Sequence, residues 1–275
     1  MYLKKRKSDS ITSILLFVFN VFLTEKNIIE LPLKKILILL EPFQKNETAI
    51  RMGLSRGVKN GLLVNIKKEN EVYYQLTQQA IESLKHWGVT MHTFQQRIPL
   101  QQAAWNGKWS IAFFKVSCPD ELAHALKSLG YGNWNRQMWM SPYDFSSEIS
   151  FLATKYGIGN SSYQFQGELT GALKQGDLVT EVWPVKDLNK KYAKFITDLN
   201  IAAEEFDKGA FQGGGVLPFL HLHGLKLFEI IQDDPQLPLQ LLSPGWPGIR
   251  ASQQFMATRE ELLHIANSYI NEVLY

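Results

Sequence analysis

Residues 33–76 read LKKILILLEPFQKNETAIRMGLSRGVKNGLLVNIKKENEVYYQL, and the architecture predicted for the whole chain is built outward from them. The centre of this segment predicts a helix, because apolar residues recur every three or four positions over residues 49–62. Asn46 is a good N-cap, since its side-chain oxygen can accept from the free backbone N–H groups of the first turn. Asn60-Gly61 is expected to end the helix, because both residues tolerate the left-handed conformation common at helix ends.

The flanking residues complete a recognisable order of elements. Residues 33–40 predict a shorter helix, and residues 41–45 predict a turn. Residues 62–67 and 71–76 predict two strands around a polar tip at residues 68–70. Helix, turn, helix and hairpin is the order of a winged helix-turn-helix, whose second helix enters a DNA major groove.

Charge is distributed unevenly along the 275 residues, although the total is only +3. Residues 1–77 hold thirteen Lys or Arg against seven Asp or Glu, a net +6, whereas the remainder is −3. A basic N-terminal segment joined to a mildly acidic remainder is typical of a protein whose N-terminal segment binds phosphates. The cluster Lys4-Lys5-Arg6-Lys7 is either a phosphate-contacting arm or a frayed terminus.

The apolar run at residues 14–19 follows this basic cluster and therefore resembles a signal peptide. Asn20 interrupts the run, no small-x-small cleavage site follows, and the run is too short to span a bilayer. We expect a first helix packed beneath the recognition helix, and no membrane partner. The composition, 45% hydrophobic and 20% charged, is that of a globular protein. Its one cysteine, Cys118, excludes an internal disulfide and fits a cytoplasmic location.

The pattern changes after residue 96, where a second domain is predicted. Pro99, the surrounding glutamines and Asn106-Gly107 indicate a linker over residues 97–107. Strand and helix patterns then alternate as β-α-β-α-β, with a possible extra edge strand, at residues 109–116, 119–129, 137–140, 147–156 and 162–169. This alternation predicts a ferredoxin-like unit, which commonly mediates self-association, but a fold alone assigns no role.

Helical patterns dominate from residue 179 onward. They cover an apolar stripe over residues 183–199, a helix that begins near Pro218, and a last helix over residues 249–274. We therefore predict an α+β protein of three domains. These are a winged helix-turn-helix DNA-binding domain (1–96), a ferredoxin-like central domain (97–178) and a mainly helical C-terminal domain (179–275).

Polar and basic side chains on the second helix and the hairpin are the candidates for contact with DNA. They are Thr48, Arg51, Met52, Ser55, Arg56, Lys59, Lys67 and Lys68. The two arginines would reach guanine edges or phosphates, and the lysines would contact phosphates. The other three would touch thymine methyl groups or the DNA backbone. The alternative is a polar helix face in a protein-docking module, but the hairpin lysines and the basic balance favour DNA.

Other candidate sites have simpler structural explanations. His221 and His223 lie in a helical pattern, where positions i and i+2 do not share a face, so packed or ligand-contacting histidines are expected rather than a metal pair. Residues 213–215, Gly-Gly-Gly, lack the frame of a phosphate loop and predict a flexible loop. Asp233-Asp234 are expected to be turn and cap residues. No nucleophile motif occurs, so we expect no enzyme, no catalytic residue, no metal and no cofactor.

Characteristic motifs occur in all three parts of the chain. They are ETAIRMGLSR at 47–56, NGL at 60–62, WNGKW at 105–109, LGYG at 129–132, MWMSP at 138–142, DPQLP at 234–238, LL at 241–242 and WPG at 246–248. Together they resemble the PaaX family of phenylacetic-acid catabolism repressors, and the last three motifs are the most distinctive.

The resemblance implies a cytoplasmic, dimeric repressor of a catabolic operon that binds an inverted-repeat operator. It also implies release when an aryl-acetyl-CoA effector, such as phenylacetyl-CoA, binds the body of the protein. The family's central unit resembles a CRISPR-associated nuclease, but the first strand here ends in Lys115-Val116 without an acidic residue, so no nuclease activity is expected. Residues 211–234 contain Lys226 as their only Lys or Arg, so the effector and its pocket stay open. The alternatives are a constitutive DNA-binding protein without effector, or an enzyme whose winged helix docks a partner.

Overall fold

A computed structural model describes residues 10–171, 174–207, 209 and 212–275, which form an α+β fold with two small antiparallel sheets. The basic cluster at residues 4–7 lies outside the described residues. The chain divides into two compact units. The first contains the described residues of Met1–Met91, Phe195–Phe228 and Ala251–Tyr275, and the second those of His92–Lys194 and Glu229–Arg250. The division into three domains at residues 96 and 178 stays a prediction.

The first unit begins with the apolar helix that the sequence predicted. Helix α1 spans Ile11–Val18, and the chain continues through one π-helical turn at Phe19–Leu23. The Ser10 hydroxyl caps α1 by accepting from the backbone N–H of Ser13 at 3.2 Å. The apolar side chains of this segment are buried in the first unit rather than exposed.

The predicted helix, turn, helix and hairpin are all present in the first unit. They are α2 (Leu33–Leu40), a 3-10 turn (Glu41–Phe43), α3 (Glu47–Lys59), β2 (Leu63–Lys68) and β3 (Glu71–Leu76). The Asn46 side chain caps α3 by accepting from the Ala49 N–H at 2.8 Å, as expected. Gly61 is left-handed with φ 69°. The helix ends at Asn60-Gly61, as expected, with Asn60 as the C-cap at φ −87°.

A short strand that the sequence did not reveal completes the first sheet. Strand β1 spans Glu30–Pro32 and pairs antiparallel with β3, so that the strand order is β1-β3-β2. In the hairpin, Lys68 is paired with Glu71, so Lys68 belongs to β2 and the tip consists of Glu69 and Asn70 alone.

The linker predicted at residues 97–107 is wrong over its first half. Helix α4 spans Gln78–Gln102 and passes through Pro99. Proline removes one backbone hydrogen bond from a helix interior, but this helix continues beyond it to Gln102. In the second unit, Phe94 and Gln101 are buried, and Gln236 Nε2 donates to the Phe94 carbonyl at 2.8 Å, in the turn before the proline.

The second unit contains the β-α-β-β-α-β order of a ferredoxin-like unit. Its elements are β4 (Trp109–Phe114), α5 (Asp120–Ser128), β5 (Gly132–Asn135), β6 (Met138–Ser141), α6 (Ser146–Lys155) and β7 (Ser162–Gly167). The strand order is β5-β6-β4-β7, with every pair antiparallel, and β5 is the extra edge strand that the sequence predicted.

Two hydrophobic clusters occupy this unit because the side chains of β4 alternate between the faces of the sheet. Ala112 and Phe114 belong to a cluster with residues of α5 and α6. Trp109 and Ile111 belong to a second cluster with Trp183 and with residues of the proline-rich segment 235–242. The distinctive DPQLP motif is therefore part of a packed core.

Four further helices contribute to the two units. They are α7 (Gln175–Val182), α8 (Val185–Asp207), α9 (Val216–Asp233) and α10 (Gly248–Leu274). In the first unit, α10 contacts α2, since the Tyr269 hydroxyl donates to the Ile38 carbonyl at 2.9 Å. No helix among the described residues is both long and apolar enough to cross a membrane.

The glycine triplet at residues 213–215 forms a 3-10 turn, where a flexible loop was expected. A Cβ at Gly214 would lie 2.6 Å from Cγ of Pro42 and 2.7 Å from Cζ of Tyr269. The middle glycine is therefore explained by close packing within the first unit.

Candidate nucleic-acid interface

Two glycines set the orientation of α3. A Cβ at Gly53 would overlap Cβ of Ile11 and lie 2.7 Å from both of its γ carbons. A Cβ at Gly57 would lie 2.8 Å from Cδ1 of Leu63. The Thr12 hydroxyl also donates to the Gly53 carbonyl at 3.4 Å. The glycine side of α3 therefore packs against α1 and the start of β2, and the opposite side of the helix faces solvent.

All eight candidate DNA contacts are exposed. Six of them lie on α3 and two at the end of β2, and they are Thr48, Arg51, Met52, Ser55, Arg56, Lys59, Lys67 and Lys68. Residues 46–76 contain five Lys or Arg against three Glu, so the segment carries a net +2. We call these eight residues the basic face.

Arg51 is held in place by an ion pair within α3. Its Nη2 lies 2.6 Å from Oε1 of Glu47, and its Nε donates to the same oxygen at 2.7 Å. The two side chains are 54% and 58% exposed. Exposed i,i+4 pairs stabilise a helix by only about 0.3–0.5 kcal/mol, so this one can exchange with another anion at little cost.

Lys68 is also held, but by the neighbouring strands. Its Nζ forms an ion pair with Glu30 of β1 and lies 4.9 Å from the centre of the Tyr73 ring of β3. For Arg56, Lys59 and Lys67 we find no ion pair within the part of the chain that the structure describes. Of the five exposed cations of the basic face, Arg51 and Lys68 are therefore oriented by ion pairs among the described residues, and the other three are not.

Sequence reasoning missed the two acidic partners of the basic face. The i,i+4 spacing of Glu47 and Arg51 is a signal that could have revealed their pair. The role of Glu30 had no local signal, because it depends on a three-residue strand that pairs with β3 far along the chain.

The two histidines of α9 are packed, as expected. The His221 ring lies 5.0 Å from the Phe17 ring and 6.0 Å from the Phe43 ring. His223 Nδ1 is 3.0 Å from the Phe219 carbonyl oxygen, and burial lowers the pKa of this imidazole. Both rings belong to the interior of the first unit.

Asp234 is a turn residue, as expected, and it also has a tertiary partner. One carboxylate oxygen accepts from the Gln236 N–H at 2.7 Å, and the other accepts from the Tyr192 hydroxyl at 2.7 Å. Burial raises the pKa of this carboxyl to about 6. The Tyr192 ring lies edge-on to Trp246 at 6.0 Å. The DPQLP and WPG motifs are therefore joined through Tyr192 within the second unit.

These features define an α+β protein with a basic helix-and-hairpin face in one unit and a ferredoxin-like sheet in the other. Three family models match successive parts of the chain. They are described as PaaX-like protein (residues 11–80), PaaX protein central Cas2-like domain (102–179) and PaaX-like protein C-terminal domain (183–272). The chain belongs to the PaaX-like family.

Two individual proteins are similar over most of the chain. The transcriptional repressor PaaX of Escherichia coli (strain K12) is 23% identical over 253 residues, which cover 88% of this chain and 78% of the relative. The solved structure of the uncharacterized protein Rv0674 from Mycobacterium tuberculosis matches with a TM-score of 0.59 and 16% identity. That match covers 96% of this chain and 100% of the other, and it supports the fold alone.

Proposed function

We propose that this chain is a transcriptional repressor that binds double-stranded operator DNA through α3 and the β2–β3 hairpin. The observation that carries the proposal is the basic face, whose eight candidate DNA contacts are all exposed on α3 and the adjoining strand β2. In this proposal α2, α3 and the hairpin are a winged helix-turn-helix. Membership of the PaaX-like family and the similarity to a transcriptional repressor support it.

On binding, α3 would lie in the major groove and the hairpin lysines would meet phosphates. Arg51 is oriented by Glu47 near the first turn of α3, the part of a recognition helix that contacts base edges. Phosphates would compete with Glu47 for the guanidinium. The affinity of the protein for DNA should fall steeply as the salt concentration rises, because each phosphate that a Lys or Arg neutralises releases counterions.

Regulation in this proposal needs a dimer and an effector. Two copies would read the half-sites of an inverted repeat separated by whole helical turns. An acyl-CoA effector such as phenylacetyl-CoA would favour a dimer geometry that no longer matches this spacing. The regulated genes would be those of phenylacetate catabolism, and the protein would act in the cytoplasm without enzymatic activity.

Fluorescence anisotropy with a labelled fragment from upstream of the gene, in the presence of scrambled competitor, tests DNA binding. Arg51→Ala and Arg56→Ala should each weaken specific binding by about 1–3 kcal/mol if the residue makes a bidentate base contact. Equal losses on operator and scrambled DNA would instead mark a phosphate contact. Lys190→Ala, at an exposed position of α8, is the control and should change neither affinity. Absence of sequence-specific binding by the unmodified protein would overturn the proposal.

Titration of the protein–operator complex with phenylacetyl-CoA tests the effector. Release by the thioester, but not by coenzyme A or phenylacetate, would support an acyl-CoA-responsive repressor. Specific binding that ignores the thioester would favour the constitutive alternative or a different effector.

A further inference from the structure

Met52 is an exposed apolar side chain in the middle of the basic face. It is 54% exposed, whereas Ile50 and Leu54 of the same helix are buried and Val58 is partly buried. Burial of apolar surface is favourable, so an apolar group of a partner that covers Met52 would stabilise the complex.

The packing of α3 places Met52 on the outward side. At about 100° per residue, the line directly opposite the Gly53–Gly57 pair passes close to Thr48 and Ser55. Met52 lies about 60° to one side of this line, and Arg51 lies about 40° to the other side. Because Gly53 is fixed against Ile11, α3 cannot rotate to bury Met52 in its own unit.

The surroundings of Met52 fit nucleic acid better than an apolar protein partner. Its neighbours one turn away on α3 are Thr48, Ala49, Ser55 and Arg56; three of them are exposed and polar or basic, and only the small Ala49, which is partly buried, is apolar. A protein-docking site would require a contiguous apolar patch, and these neighbours interrupt it. A single apolar side chain among phosphate-binding and hydroxyl groups instead matches the floor of a major groove, where the thymine 5-methyl group is the apolar feature of the base edges.

We propose that Met52 determines specificity by contacting the 5-methyl group of a thymine in each operator half-site. This inference rests on the proposed DNA-binding function and assigns one element of its sequence preference. Thr48 and Ser55 flank Met52 and supply hydroxyl groups for adjacent base edges or the backbone, so the thymine lies at a defined position beneath α3.

The test removes the methyl group from the DNA rather than a residue from the protein. Each thymine of the operator is replaced singly by deoxyuridine, which keeps base pairing and loses only the methyl group. The wild-type protein should bind about fourfold more weakly when the contacted thymine is replaced, the factor expected for one buried methyl-sized group. Replacement of the other thymines should have little effect.

Met52→Ala should abolish this sensitivity at the same thymine, and Met52→Leu should retain it. Because the side chain is exposed and alanine favours helices, Met52→Ala should fold normally. Wild-type binding that is unaffected by deoxyuridine at every position would overturn the proposal. Equal sensitivity of wild type and Met52→Ala at the same position would also overturn it. Absence of specific binding to the unmodified operator would overturn the DNA-binding function itself.

Discussion

Gly53→Ala tests whether the backbone of α3 packs directly against α1. The added Cβ would overlap Cβ of Ile11 and lie 2.7 Å from both of its γ carbons. A Cβ atom cannot rotate away, so the two helices must separate, and such overpacking destabilises by about 1–3 kcal/mol. The better helix propensity of alanine offsets about 1 kcal/mol. We therefore expect the free energy of unfolding to fall by up to about 2 kcal/mol, together with a loss of operator affinity as α3 shifts.

Gly57→Ala and Gly88→Ala are matched controls for this substitution. At Gly57 the nearest atom is Cδ1 of Leu63, at 2.8 Å, which is the end of a flexible side chain that can move, so the change should be nearly neutral. At Gly88 of α4 no atom lies within 4 Å, so alanine should stabilise by about 0.5–1 kcal/mol. Urea unfolding followed by far-UV circular dichroism measures all three. A Gly53→Ala protein as stable as Gly88→Ala would refute the close packing of α3 on α1.

Three further predictions concern charged side chains. The pKa of Asp234 is about 6 in the folded chain, above its value in the unfolded chain. The stability that the protonated carboxyl contributes is therefore lost as the pH rises through 6. Asp234→Asn should remove this loss, and its unfolding free energy relative to wild type should be up to about 3 kcal/mol higher at pH 7 than at pH 4; no change with pH would contradict this. Lys67→Ala should lower the salt slope of operator binding by about one, and Lys68→Ala by less, because Lys68 is already ion-paired; equal slopes for wild type and Lys67→Ala would exclude the Lys67 phosphate contact. Glu47→Gln frees Arg51 and removes a negative charge, so anisotropy should show tighter binding to scrambled DNA than wild type; unchanged affinity would show that the pair has no influence on binding.

The parts of the fold with local causes were predictable from sequence. The Asn46 cap, the turn at Gly61 and the amphipathic pattern of α3 depend on residues within a few positions of each other. The same holds for the exposed side of α3, because helical periodicity alone separates the buried glycine side from the polar side. The candidate DNA contacts could therefore be named before their surroundings were known.

The parts with distant causes were not predictable. Strand β1 has only three residues and is held by its pairing with β3. Helix α4 continues through Pro99, and the Phe94 carbonyl in the turn before it accepts from Gln236, 142 positions away. The partner of Asp234 is Tyr192, 42 positions away on α8. In each case a tertiary contact overrides or completes what local propensity indicates.

The contact of α10 with α2 has a consequence for biosynthesis. The Tyr269 hydroxyl and the Ile38 carbonyl that it binds are separated by 231 positions, and Lys26 and Asn271 are joined across 245. The early segment therefore leaves the ribosome long before its partners exist, and contacts of such long range form late and slowly. A fragment made to isolate the first 96 residues would expose the surface that α10 covers and would be prone to aggregate. Because residues 195–228 also belong to this unit, addition of residues 251–275 alone as a separate peptide should not restore its folding.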